Sequence, residues 1–402
     1  MNPESSPFRP GQPVPTEFFV GRTAEIERLR GMVRGSAEGR FRIGFVSGER
    51  GIGKSSLAAF VRRLVERDHD AVGCHVFLGG VQDLGEMLRR SFDRLLKESI
   101  DRPWHNQVKD FFGNRVRQVG LFGVTLELDL SDTDVSAIRH DFVPSIRRLL
   151  EELDEHKKSL FLILDDINGL ARSDDFANWL KSSVDEIATS EEQTRLCILV
   201  VGLEERRLEL LERQPSLARV FELIDISPWS DGEVRDFYRN SFRLANATIA
   251  EKHLHHLARY TGGLPVLAHE IGDAVWRTAR TREVRTTDVS SGIAAAAEVI
   301  GRKLLEPRIF RAVRSERYRA ILRRIAAVPR TRFTRAELLE RLPEEEKRVL
   351  DAFLRRMKAL GALQSDPQVK GGYRFPNRLH ALYFFAEASR AHSPTQHHGA
   401  SQ

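Results

Sequence analysis

Eight consecutive residues, Gly48-Glu49-Arg50-Gly51-Ile52-Gly53-Lys54-Ser55, restrict this chain more than any other stretch of it. They fit G-x-x-x-x-G-K-[ST], a spacing in which glycines let the backbone curl until its N–H groups and a helix N-terminus surround phosphate oxygens. The flanking residues supply the context that the motif needs. Residues 41–47 form a short apolar run closed by a glycine turn, which reads as a buried strand, and 54–67 carries Leu57, Phe60, Val61 and Leu64 at helical spacing. In that setting Lys54 reaches β/γ oxygens and Ser55 ligates Mg²⁺, with Gly48, Gly51, Ile52, Gly53 and Ser56 completing the cradle.

The partner of this loop is Ser159-Leu160-Phe161-Leu162-Ile163-Leu164-Asp165-Asp166, an apolar strand whose end brings two carboxylates to the carboxyl edge of a sheet. Asp165 is expected to help hold Mg²⁺, and Asp166 to orient or deprotonate an attacking water. Asp at the second position is one methylene shorter than Glu, which predicts slow hydrolysis. Further buried strands are expected at 72–78, 196–201 and 221–226, and helices at 81–98, 143–155 and 175–187. Five strands alternating with helices predict an α/β fold with a mostly parallel, doubly wound sheet. A Gly-punctuated alternating stretch at 119–130 predicts a hairpin insertion, and 230–297 reads as wholly helical.

These residues carry a family likeness. The chain resembles an AAA+-related P-loop ATPase of the branch that holds replication-initiation ATPases and the signal-transducing STAND ATPases. The likeness rests on Phe19-Val20-Gly21-Arg22 with Glu25 and Leu29, on the glycine loop, on the strand ending in Asp165-Asp166, and on Gly262-Gly263-Leu264-Pro265. It implies that Val20 and Gly21 lie over an adenine, that Pro265 belongs to a lid closing on ATP or ADP, and that Arg219 reaches into a neighbouring copy as an arginine finger. A surface salt bridge is an equal use for Arg219, and a helix end followed by a helix start explains Gly262 to Pro265 without a ligand. Val201-Gly202-Leu203-Glu204 departs from the family, which often has a polar sensor residue there.

Residues 306–388 read as three helices, at 315–327, 334–342 and 343–360, followed by a short hairpin around Lys370-Gly371-Gly372, an order that resembles a winged helix. The helix from Pro343 is the expected recognition element, exposing Arg348, Arg355, Arg356 and Lys358, and the wing adds Lys370 and Arg374. Residues 302–335 hold twelve Lys or Arg against two Glu, a larger excess than the net +6 of the whole chain. That focus fits a polyanion, with double-stranded DNA expected beside a winged helix. The competing expectation is an internal clamp that holds the ATPase closed.

Composition bounds the remainder. Of 63 basic residues 52 are Arg, the fork-shaped cation suited to phosphate and carboxylate. Only Cys74 and Cys197 are present, too few for a disulfide framework or a multi-cysteine metal site, so a reducing cytoplasm is expected. No run approaches the apolar length of a membrane span. The expected organisation is a flexible arm at 1–14, an ATPase core at 15–229, a helical lid at 230–300, a winged-helix domain at 301–390 and a disordered tail at 391–402. The expected function is a nucleotide-controlled, oligomerising DNA-binding ATPase in replication, transposition or defence, with a signalling switch acting on an effector protein in trans as the alternative.

Overall fold

A computed structural model of the 402-residue chain describes residues 6–12, 19–119, 125–310, 313, 315–327 and 331–390. The chain divides into two units, Gly21–Ser227 and the remainder. The first runs α1 (Thr23–Ala37), β1 (Arg42–Ser47), α2 (Lys54–Asp68), β2 (Ala71–Phe77), α3 (Leu84–Ser99) and α4 (His105–Phe112). It continues with β3 (Val116–Val119), β4 (Thr125–Leu128), α5 (Asp132–His140), α6 (Phe142–Glu152), β5 (Ser159–Asp165), α7 (Asp174–Thr189), β6 (Leu196–Val201), α8 (Glu204–Arg213) and β7 (Glu222–Asp225).

The expected strands assemble into a five-stranded sheet in the order β2-β5-β6-β1-β7, parallel throughout. Their apolar runs are continuous because helices cover both faces. Ile43, Phe45, Val72, Val76, Leu160, Leu162 and Leu164 share a core with α3, α4, α6 and α7, while Val46, Phe161 and Ile163, a step away along the strands, are equally buried. Each fully buried apolar side chain of β5 contributes roughly 1.5–3 kcal/mol. The hairpin expected at 119–130 is the antiparallel pair β3–β4, Val116 opposite Leu128, and residues 120–124 lie outside the described ones. α5 begins with a reciprocal cap in which Ser131 accepts from the Asp134 N–H and Asp134 accepts from the Ser131 N–H.

The second unit runs α9 (Asp231–Leu244), β8 (Thr248–Ile249), α10 (Glu251–Thr261), α11 (Pro265–Thr278), β9 (Glu283–Val284) and α12 (Thr286–Ile300). It continues with α13 (Glu316–Ala326), β10 (Arg332–Thr334), α14 (Arg335–Arg341), α15 (Glu344–Lys347), α16 (Leu350–Ala359), β11 (Gln364–Ser365), β12 (Gly372–Arg374) and α17 (Arg378–Arg390). The reading of 230–297 as wholly helical is corrected by the parallel pair β8–β9, in which two-residue strands are too short to leave a periodic signal. The helix expected from 343 to 360 is two helices. The ladder tightens where the Val349 N–H donates to the Glu346 carbonyl, three residues back, at 3.2 Å.

One apolar core runs through α9–α12 and on into α13, α16 and α17, so segments 230–300 and 301–390 are packed as one unit. Phe8 belongs to it as well. Expected on a flexible arm, its ring is 3% exposed and meets Phe237, Tyr238 and Phe242 edge-on, seated over Gly272, where any Cβ would collide with it. The tail at 391–402 lies outside the described residues. Among those described, no helix is long and apolar enough to cross a membrane.

Candidate phosphate-binding site

β1 and β5 bring the two halves of the site to the carboxyl edge of the sheet, with β6 between them. The Ser47 carbonyl accepts from the Ile226 N–H at 2.9 Å and the Ser47 hydroxyl donates to Asp225, which ties the start of the loop to the end of β7. The chain then turns at Gly48, φ 147°, where a Cβ would stand 2.9 Å from the Ile226 carbonyl oxygen, so glycine is required. Gly51 and Gly53 also have positive φ, 81° and 96°. Gly53 is the N-cap of α2 and provides no side-chain cap, leaving the first-turn N–H groups of Lys54, Ser55 and Ser56 for an anion. Ile52 anchors the loop from below at 1% exposure.

Lys54 folds back over this loop, its Nζ donating to the carbonyls of Gly48 at 2.8 Å and Glu49 at 2.9 Å. Burial lowers its pKa, and Asp165, Asp166 and, more weakly, Glu205 act in the opposite direction, so both carboxylates of the second motif act on this ammonium. Asp165 is 2% exposed and accepts from His75 Nε2 at 2.9 Å. Asp166 stands in the left-handed region, φ 60°, exposed, and accepts from the Asn168 amide. A Cβ on Gly79 would lie 3.0 Å from Asp166 Oδ2, so the segment after β2 approaches this carboxylate closely. An uncapped helix start, a lysine held by carbonyls and a buried carboxylate together fit a magnesium-bound nucleotide.

Sequence reasoning assigned no role to Arg22, His75 or Glu205. Arg22, in the left-handed region at φ 63°, is 7% exposed and donates to the Ile52 carbonyl and to Glu25, both at 3.5 Å, bracing the loop. Its place in Phe19-Val20-Gly21-Arg22 was the available signal. His75 has none, because a histidine inside an apolar strand reads as core. After β6, the Gly202 N–H donates to the Val46 carbonyl at 3.1 Å and Glu204 pairs with Arg207, so no neutral polar side chain stands where a sensor was sought.

The remaining candidates are placed elsewhere. Arg219 is exposed at the end of a turn, Pro215–Arg219, that precedes β7 and so lies at the amino edge of the sheet. Val20 and Pro265 belong to the second unit, where Pro265 is buried at the first position of α11. There Gly262 and Gly263 have φ of 58° and 74°, and a Cβ on Gly263 would stand 2.4 Å from the Trp229 carbonyl oxygen, so chain packing alone accounts for these glycines. Arg348, Arg355, Arg356, Lys358 and Lys370 are exposed, and Arg374 is half-buried on β12. The positive focus expected at 302–335 is partly cancelled. Arg302, Lys303, Arg324, Arg332 and Arg335 pair with Glu298, Glu270, Glu346, Asp366 and Asp351 from outside the segment, whereas Arg319 and Arg323 pair with Glu316 within it.

Residues 19–211 match the family model of the AAA ATPase domain. Among solved structures, the ORC2 protein of Aeropyrum pernix in its ADPNP–ADP complexes is similar over 95% of this chain and 95% of that one, with 14% identity and a TM-score of 0.59. A Walker-type ATPase of Pyrococcus abyssi is similar over 91% of this chain and 96% of that one, with 19% identity and a TM-score of 0.51. At these identities the likeness is one of fold. No curated protein matches the sequence. The glycine loop, the carboxylates at the end of β5, the strand order and the family match together identify a P-loop NTPase fold in which residues 19–211 match the AAA ATPase domain.

Proposed function

We propose that the chain is an ATP-binding, slowly hydrolysing switch that assembles into homo-oligomers and engages double-stranded DNA through a C-terminal winged helix. The observation that carries the reading is the uncapped start of α2 behind Gly48, Gly51 and Gly53, with Lys54 under the influence of Asp165 and Asp166. Loop N–H groups bind the phosphates, and Lys54 exchanges the Gly48 and Glu49 carbonyls for phosphate oxygens. Ser55 and Asp165 would hold Mg²⁺, which when bound neutralises charge on the phosphoryl group in transfer. Asp166 orients the water or takes its proton. Gly21, in the same unit as the loop, takes the adenine side of the nucleotide, as the resemblance implies.

Arg219 serves a neighbouring copy in this reading. The four residues of β7 separate it from the carboxyl edge of its own sheet by about 13 Å, at about 3.3 Å per residue, which is too far for a finger in its own site. For DNA, support comes from the order α13, α14, α16, β11 and β12 and from the exposed Arg348, Arg355, Arg356, Lys358 and Lys370. One observation favours the clamp instead. Arg324–Glu346 and Arg335–Asp351 spend basic charge within the unit, which suits a switch whose output is an effector protein. The two readings separate in one experiment, anisotropy of a labelled duplex titrated with the protein in an ATP analogue and in ADP at two salt concentrations. Salt-sensitive binding with the analogue alone is the expected result, and no binding in either state would leave the clamp.

A further inference from the structure

The buried partner of Asp165 lies outside every motif in the sequence. His75 Nε2 stands 2.9 Å from Asp165 Oδ2, with the two side chains 3% and 2% exposed. An ionised carboxylate only accepts, so Nε2 carries the hydrogen and donates it. β2 runs parallel to β5 with Phe77 opposite Asp165 and His75 opposite Ile163, so the bond crosses diagonally between adjacent strands. Phe77 lies against the imidazole, ring centroids 4.4 Å apart and planes at 23°, although the phenylalanine itself is 52% exposed. The stack restrains the imidazole and therefore the direction of its N–H.

We propose that His75, held by Phe77, is a positioning residue for the carboxylate that holds magnesium. It fixes Oδ2 of Asp165 toward β2 and leaves the other carboxylate oxygen for the coordination shell of the cation. Without it, a nearly water-free carboxylate loses its donor and turns to find another, which misplaces the oxygen that the metal needs. Partners of this kind, one bond removed from a metal, change metal affinity by roughly 10–100-fold when mutated. The inference rests on the reading of Asp165 given above, and its test separates the two.

The full-length protein is titrated with a fluorescent ATP analogue in EDTA and at increasing Mg²⁺. Wild type is expected to tighten with Mg²⁺. His75→Ala raises the half-saturating Mg²⁺ by roughly 10–100-fold while affinity in EDTA stays within about twofold of wild type. His75→Gln, which offers an N–H in place of Nε2, recovers most of the loss, and Phe77→Leu at the half-exposed position gives a smaller rise. Unchanged Mg²⁺ dependence in His75→Ala overturns the inference, and so does an equal loss in EDTA or a failure of the Gln variant to rescue. A wild type that ignores Mg²⁺ overturns the assignment of Asp165 itself.

Discussion

Lys54 is partly withdrawn from water and its ammonium is held by two carbonyls, an arrangement that costs desolvation and gains its full return when phosphate arrives. Lys54→Ala is expected to weaken ATP binding by on the order of 100-fold, read by nucleotide titration. Asp166→Asn should lower the hydrolysis rate by on the order of 100-fold or more and leave nucleotide affinity within a few-fold, read by phosphate release. A third residue-scale prediction concerns His269, whose Nδ1 accepts from the Arg9 N–H at 3.2 Å and whose burial lowers its pKa to about 4. Its unfolded pKa lies near 6.5, so between these values the unfolded chain binds the extra proton. Stability from this group is therefore complete above about pH 6.5 and falls as pH drops toward 4, by roughly 2 kcal/mol at pH 5. Thermal melting at pH 5 and 7.5 measures it, and His269→Gln should flatten the difference.

At the scale of elements, β5 and the turn after β1 bear most of the site. Leu162 is 3% exposed on an interior strand of the sheet, and Leu162→Ala should cost about 2–5 kcal/mol in urea denaturation by opening a cavity between β5 and its covering helices. The strands were legible because covered parallel strands must be apolar along their whole length, as in Phe161-Leu162-Ile163-Leu164. The short elements were not. β8 and β9 have two residues each, and α15 is separated from α16 by a single tightened turn, features that periodicity does not register.

At the scale of the molecule, assembly and charge are the open properties. If Arg219 acts in a neighbour, Arg219→Ala should abolish hydrolysis in the assembled protein and spare ATP binding; unchanged turnover per subunit in the oligomer would remove the finger. The basic C-terminal segment illustrates the limit of counting charge along a chain. Its excess is computed along the sequence, whereas Glu346 and Asp351 arrive from α15 and α16 and neutralise Arg324 and Arg335. The salt slope of DNA binding should therefore follow the exposed Arg348, Arg355, Arg356, Lys358 and Lys370 more than the paired arginines.

What the sequence by itself determined is the local chemistry: a glycine loop between strand and helix, an apolar strand ending in two carboxylates, and the alternation that builds a parallel sheet. These follow from backbone sterics and burial, which act within a few residues of one another. Tertiary structure alone decided which side chains meet across strands and helices. It placed His75 beside Asp165, Arg22 against the Ile52 carbonyl and Phe8 into a helical core some 230 residues away, and it set acids against the basic segment. Such contacts depend on strand order and helix packing, which no local pattern encodes.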